Sequence, residues 1–461
     1  NAIKRRKTLF HPLNPEEVRL RTCGPTVHDA PHLGNYRRLV VSDLLCRYLT
    51  FKGFAVKHVV DIVDCSDKSI RGSEKAGMNL ADYSDKYLRV FLEDVRFLQI
   101  RPDNIYVKAS EDVEATLKIV EKLVDRGYAY EKLHSVYFDI SKLEDYGSLS
   151  NIDLAKTRTG RSVDLDDYEK DSPADFALLK RAGLGELKRG IYSKTKWGNV
   201  RPGWHLECAA ISRKYLGAAY DIHVSGADET FPHCENLIAI NKACSGHSGA
   251  KYWIGAELIL VDGRKMSRSL NNIVTMDDLR QSGYGGRDVR FFLLGMNYRK
   301  PISYSVSALQ MARNTIKKMD TFISRLQAIR NTAPNFPEVD QLMYDLHHAF
   351  EQALDDDLNI SGALAALFEF ISAVNAPLAG GKISKEDARK ILEALQKIND
   401  VLQVMDFKKQ IDDQQINELI QKREKARQTG LWQEADFLRN QLAGLGVDVL
   451  DSQQGTIWRF K

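Results

Sequence analysis

The opening of the chain constrains the fold more than any other stretch. "EEVRLRT" (16–22) alternates apolar and polar residues as a strand does, and "TCGPTVHDAPHLGN" (22–35) is a turn rich in Gly and Pro. "YRRLVVSDLLCRYLTFKGF" (36–54) then has helical spacing, and "FAVKHVVDIVD" (54–64) is again a strand. Strand, helix and strand in that order make a β-α-β unit and hence a parallel sheet. Ligands of such sheets bind outside the carboxyl ends of the strands. A turn there that carries Cys23, His28 and His32 is the first place to look for chemistry.

Organisation along the chain follows from pattern. With 461 residues, the chain is too long for one core and suggests two to four domains. "LADYSDKYLRVFLEDVRFLQI" and "SEDVEATLKIVEKLVDRGYAY" read as amphipathic helices, and "SVYFDI" as a short strand. The polar stretch from about 145 to 200 gives few periodic signals. Residues 97–200 are therefore expected as an insertion that splits the αβ domain. The sheet pattern resumes with "AAYDIHVSG" and "ELILVDG". From about 305 the character changes to four successive amphipathic segments, between "SALQMARNTIKKM" and "ILEALQKINDVLQVM". The expected division is 1–300 for a Rossmann-like α/β domain, with a 260–300 loop region. A helical bundle at 301–408 and a small terminal module at 409–461 follow.

Several classes are disfavoured. No run approaches 18 consecutive apolar residues, so no transmembrane helix is expected, and "NAIKRRKTLFHPLNPEE" lacks the apolar core of a signal peptide. A cytoplasmic location is the default expectation, and no membrane partner is expected. A net charge of +4 does not by itself argue for nucleic acid. Six cysteines (Cys23, Cys46, Cys65, Cys208, Cys234, Cys244) over this length are not a disulfide framework.

Two motifs suit a nucleoside triphosphate. "HLGN" (His32, Leu33, Gly34, Asn35) opens a helix, whose N-terminal N–H groups and imidazole can meet phosphate. "KMSRS" (265–269) supplies Lys265, Ser267, Arg268 and Ser269 on a loop after an apolar strand. A pentavalent α-phosphate transition state spreads charge over several oxygens, so donors must close from both sides. Cys23, Cys208 in "RPGWHLECAAISR" and His233 in "DETFPHCENLIAI" stand at three element ends beside these motifs, a pattern that suggests zinc.

The two phosphate motifs resemble the His-Ile-Gly-His and Lys-Met-Ser-Lys-Ser signatures of class I aminoacyl-tRNA synthetases. Within that class the chain is similar to the cysteinyl-tRNA synthetases in "CGPTVHDAPHLGN", "RPGWHLECAAI", "FPHCENL", "KMSRSLNN" and "EADFLRNQLAGLGVDVLDSQQGTIWRF". The resemblance runs over essentially the whole chain. It implies that His32, Asn35, Lys265 and Arg268 are catalytic, and that Gly34, Gly226, Asp228 and Ser267 join them around ATP, which Mg2+ would accompany. It implies one Zn2+ on Cys23, Cys208 and His233, and a cysteine pocket of Cys23, Gly24, Trp204, His205 and His223. The family's fourth ligand, a Glu, is Leu237 here, so an open three-ligand zinc site is expected, with Cys234 the alternative fourth donor. "DIVDCSDKSI" departs from the family's "NITDIDDKII" at several positions, among them Val63, Cys65 and Ser66.

Near the end, Arg423, Lys425 and Arg427 precede Trp432, and Trp458 and Arg459 follow. Cations interleaved with tryptophan suit single-stranded RNA. By resemblance, Arg427, Trp432, Asp436 and Asp451 would read the anticodon of tRNA(Cys). The expectation is a monomeric cysteine–tRNA ligase. An ATP-dependent ligase joining cysteine to a small amine, and a non-catalytic RNA-binding relative, are the other two readings.

Overall fold

The structure is a computed structural model that describes the chain except residues 153–169, 331–333, 408–412, 445–446, 453–454 and 461. It divides into two compact units. One comprises residues 1–317, 344–370 and 397–404, the other residues 318–343, 371–396 and 405–461.

The first unit is built on one parallel sheet. Its strands are β1 (Glu17–Thr26), β2 (Ala55–Val63), β3 (Ile105–Lys108), β4 (Tyr220–Gly226) and β5 (Ala250–Ala256), in the order β5-β4-β1-β2-β3. The chain starts at the centre, fills one side, then returns to fill the other. The strand order therefore reverses between β1 and β4, and a crevice opens beyond their carboxyl ends. Helices α1 (Leu33–Phe51), α2 (Trp204–Leu216) and α3 (Glu235–Ser245) pack on the sheet and are buried over most of their surface. Both faces of β1 and β4 are covered, as a parallel sheet requires. The Rossmann-like expectation is met.

A second, antiparallel sheet lies between β3 and β4 in sequence. Its strands are ordered Ala129–Lys132, Ser135–Phe138, Phe176–Arg181, Gly198–Pro202 and Ser193–Thr195. The inserted sheet thus begins well after residue 97, because Ile105–Lys108, inside the segment read as insertion, is the edge strand of the parallel sheet. Four residues are too few to show a period. The "ELILVDG" strand also differs from expectation. Ile259–Val261 pairs not with the parallel sheet but with Arg264–Lys265 and Ile302–Tyr304. Asp262 (φ +51°) and Gly263 (φ +72°) form the two-residue turn between the first two of these strands. That turn sets Lys265 on the returning strand.

Helices Val306–Gln327, Val339–Asp355, Ile360–Ala379 and Lys385–Leu402 follow where four helical segments are expected. Ile360–Ala379 is long and apolar enough to cross a membrane by length and composition alone. Its buried Ala363, Leu367, Phe370 and Val374 fall at spacings of four, three and four, the stripe of a helix packed on one face. In the second unit, Asp413–Gln428 and Trp432–Gly444 pack with a hairpin of Val447–Ser452 and Gly455–Phe460. Ile416, Ile420, Leu442, Val447 and Val449 form its small core.

Candidate active site

A cleft of about 510 Å³ opens at the carboxyl ends of β1 and β4, lined by both phosphate motifs. His32 is the N-cap of α1, and its backbone N–H donates to Asn35 Oδ1 at 2.9 Å. That bond uses the Asn35 oxygen in the cap and leaves its amide nitrogen as the donor for the cleft. A Cβ on Gly34 would stand 3.0 Å from two atoms of the His32 ring, so glycine lets the imidazole fold over the first helical turn. His32 Nδ1 is buried without a partner. Burial, then the charges of Arg268, Arg38 and Lys265, push the imidazole down to about 4, so the ring is neutral at pH 7.

Across the cleft stands the 265–269 loop. Lys265 Nζ lies 2.5 Å from Asp228 Oδ2, and Arg268 Nη1 2.7 Å from Asp29 Oδ2. Arg268 also donates to the Ala30 carbonyl. Ser267 N–H donates to Asn272 Oδ1 at 2.8 Å, which shapes the loop. Gly226 ends β4 at the cleft wall, where a Cβ would meet Asp228 Oδ1 at 2.6 Å.

Gly24, Trp204 and His233 line the cleft on its other side, and behind them lies a buried cluster of thiols and imidazoles. Trp204 stacks on His233 with ring centres 4.0 Å apart and planes at 10°. His205 Nδ1 and His233 Nδ1 share a hydrogen bond at 2.9 Å, while His233 Nε2 is buried and unpartnered. His223 Nε2 is 3.5 Å from Cys23 Sγ and 3.8 Å from Cys234 Sγ. Cys208 Sγ donates to Asp61 Oδ2 at 3.1 Å. Among these groups lies Arg21, fully buried, with Nη2 3.0 Å from Asp61 Oδ1 and Nη1 3.2 Å from His223 Nδ1. Burial lifts both the Cys23 and Cys208 thiols well above their ordinary range, and Arg21 pulls the other way. Burial, the largest influence, opposes the Arg21 charge, but the charged form prevails, favoured first of all by Asp61.

The sequence matches the family model for class I (C) tRNA synthetase catalytic domains over residues 9–314. It matches the DALR domain over 349–406 and the cysteinyl-tRNA ligase anticodon-binding domain over 413–459. It is 37% identical to the cysteine–tRNA ligase of Methanosarcina mazei, over 99% of this chain and 97% of that protein. Identity to the Chlamydia felis cysteine–tRNA ligase is 39%, over 99% of this chain and 96% of that one. The chain belongs to the cysteine–tRNA ligase family. In fold it is similar to a Mycobacterium tuberculosis methionyl-tRNA synthetase bound to methionyl-adenylate, with a TM-score of 0.62 at 15% identity over 84% of this chain and 92% of that one. An Agrobacterium radiobacter LeuRS complex with tRNA and LeuAMS gives a TM-score of 0.63 at 11% identity, over 86% and 85%.

The zinc that the cysteine–tRNA ligase resemblance implies does not suit the residues as arranged. Among the described residues, no three His, Cys, Asp or Glu side chains converge as a metal-holding group. Cys23 faces His223, Cys208 is bonded to Asp61, and His233 is bonded through Nδ1 to His205. Leu237 is 1% exposed in the apolar core. Cys234, the alternative donor, faces His223 and Ser225. The donor set is divided among other partners, with a guanidinium in its midst.

Four functional candidates escaped the sequence reading. Arg21 and Asp61 are two, on strands paired so that Cys23 stands opposite Asp61. Arg38 and Glu229 are the others. Arg38 donates to the carbonyls of Cys23 (2.6 Å) and Gly24 (2.8 Å) and pairs with Glu229 at 3.0 Å, which ties α1 to the ends of β1 and β4. Gly24 is obligatory there, since a Cβ would lie 1.8 Å from the Asp61 carbonyl oxygen. Arg21 falls on a polar position of the alternating "EEVRLRT" pattern, so nothing in the sequence set it apart.

The "DIVDCSDKSI" departures serve the scaffold. Val63 is 2% exposed in the core, Cys65 donates to Glu207 at 2.9 Å, and Ser66 caps helix Asp67–Lys75 through Ser69 N–H at 3.1 Å. In the second unit, Trp432 is 63% exposed, and Asp436, one turn on, is exposed too. Arg427 lies in helix Asp413–Gln428, and Asp451 on strand Val447–Ser452, its side chain outside the described part. The same holds for the side chains of Trp458 and Arg459. Arg423, one of the cations expected to meet single-stranded RNA, is instead buried at 3% exposure.

Proposed function

We propose that this chain joins cysteine to tRNA(Cys) through a cysteinyl-adenylate. The cysteine carboxylate attacks the α-phosphorus of ATP, whose Mg2+ accompanies it, and pyrophosphate leaves. The 3′-terminal adenosine of tRNA then attacks the activated carbonyl, and AMP leaves. What carries this reading is the pair of phosphate motifs facing one another across a single cleft at the β1/β4 switch point.

The chain's own groups supply positioning and charge stabilisation. A neutral His32 donates without bringing a full charge, and the α1 N-terminus and Asn35 amide donate beside it. Lys265 and Arg268 are held by half-exposed carboxylates, and such ion pairs contribute only about 0–1 kcal/mol. Both cations can therefore leave Asp228 and Asp29 for phosphate oxygens at little cost. Ser267, Gly226 and Asp228 complete the nucleotide side. Gly24, Trp204, His205, His223 and Cys23 form the amino-acid side. In the second unit, exposed Trp432 and Asp436 read the anticodon together with Arg427 and Asp451, and base stacking on tryptophan is worth about 1–3 kcal/mol. The enzyme works as a cytoplasmic monomer, consistent with a cleft assembled from one chain.

The test is cysteine-dependent exchange of labelled pyrophosphate into ATP. Exchange with cysteine and none with serine is expected. Absence of exchange with any amino acid would contradict the assignment.

A further inference from the structure

We propose that the buried Arg21–Asp61 pair stands where the family's zinc would act, so that this chain holds the substrate thiol without a metal. The inference rests on the proposed function for the identity of the thiol, and on the site geometry alone for the metal.

The side chains form one continuous circuit of contacts from Cys208 to Cys23. Cys208 donates to Asp61 Oδ2, whose other oxygen lies 3.0 Å from Arg21 Nη2. Arg21 Nη1 reaches His223 Nδ1, and His223 Nε2 faces Cys23. A guanidinium can only donate, so His223 Nδ1 is the acceptor and the ring hydrogen sits on Nε2. Cys23 and Cys234 therefore face an N–H rather than a lone pair that could share a metal. A dication drawn in by Cys23 and Cys208 would need both thiol protons expelled and the Cys208–Asp61 bond broken. It would also sit beside a fully buried cation, where repulsion is poorly screened. The fourth corner, Leu237, offers no donor.

The circuit does not use everything it holds. Arg21 Nε and His233 Nε2 are both buried with no partner, and His233 lines the cleft. A thiol entering beside Trp204 and His233 meets the His233 nitrogen and lies in the field of Arg21. A thiol is a weak donor that otherwise behaves as a small hydrophobe, so a dry pocket with one imidazole nitrogen takes it at less cost than a serine hydroxyl, whose desolvation a single partner does not repay. Arg21 acts through His223 and Asp61 and is a positioning residue.

Zinc content decides the matter. The full chain is purified from zinc-supplemented cells, equilibrated with zinc, desalted and assayed for metal per chain. Wild type is expected to hold none. Leu237→Glu alone is expected to hold none either, because Arg21 remains. Arg21→Met/Asp61→Asn/Leu237→Glu, which removes the charge pair and supplies a fourth donor, is expected to gain roughly one zinc per chain. One tightly bound zinc in wild type, lost in Cys208→Ala, would overturn the inference. So would failure of the triple variant to bind zinc while its circular dichroism and melting remain cooperative.

A second readout separates this from the functional reading. Exchange by chelator-treated wild type should be undiminished, and Arg21→Met should raise the KM for cysteine about tenfold or more while leaving the KM for ATP unchanged. Arg21→Lys should recover part of that loss. A zinc-free wild type inactive with every amino acid would sink the functional reading and leave the metal inference standing.

Discussion

The nucleotide side of the cleft and the thiol cluster buried behind its other wall hold their charges in opposite ways. On the nucleotide side, Lys265 and Asp228 have 48% and 37% of their side chains exposed, and Arg268 and Asp29 37% and 40%. On the thiol side, Arg21 and Asp61 are at 0% and 1%. Exposed pairs are exchangeable and add little stability, whereas a buried pair cannot be opened without stranding a charge. The first arrangement suits a region that must take ATP in and let pyrophosphate out. The second suits a region that must present one fixed field to one small side chain.

The largest test of this contrast is to break each pair. Asp61→Ala strands the Arg21 charge in the core and should cost about 3–5 kcal/mol of stability, read by urea denaturation. Asp228→Ala should cost less than about 1 kcal/mol in the same experiment. Equal losses would erase the distinction. For catalysis the order reverses. Lys265→Ala should lower the exchange rate by about 10²–10³ with little change in melting temperature, because its role is to stabilise charge in the transition state. A variant within twofold of wild type would place the phosphate contacts elsewhere.

A smaller effect is expected in the second unit. Trp432→Ala should weaken tRNA binding by about 1–3 kcal/mol, as lost base stacking would, and leave cysteine-dependent exchange untouched. Loss of exchange in that variant would tie Trp432 to the catalytic fold instead. The smallest effect concerns pH. His32 titrates near 4 when folded against 6.5 ordinarily. The unfolded chain takes its proton first as pH falls, so His32 lowers stability progressively between about pH 6.5 and 4 and contributes nothing above that window. The exchange rate should accordingly show no acidic limb from His32 near pH 6.5. A limb there that vanishes in His32→Asn would contradict the neutral-imidazole assignment.

The two regions also differed in how legible they were. "HLGN" and "KMSRS" were readable because each is local: a cap, a glycine under an imidazole, and a loop following an Asp-Gly turn. The opening β-α-β unit was readable for the same reason. The thiol circuit was only half visible. Its cysteines and histidines stood out by type, but their partners did not, since Arg21 meets Asp61 only through the pairing of β1 with β2. Nothing in either strand alone distinguishes a buried ion pair from two solvated charges. Ile105–Lys108 was missed because four residues carry no period, and Arg423 because a cation in an amphipathic helix reads as solvent-facing whatever packs beside it.

Charging of total tRNA with labelled cysteine, alongside labelled serine, tests the central claim most directly. The arrangement of one exchangeable and one fixed set of charges predicts base-labile cysteinyl-tRNA and no seryl-tRNA. Cysteine-dependent pyrophosphate exchange with no label on tRNA would contradict it and point to a different acceptor for the activated cysteine.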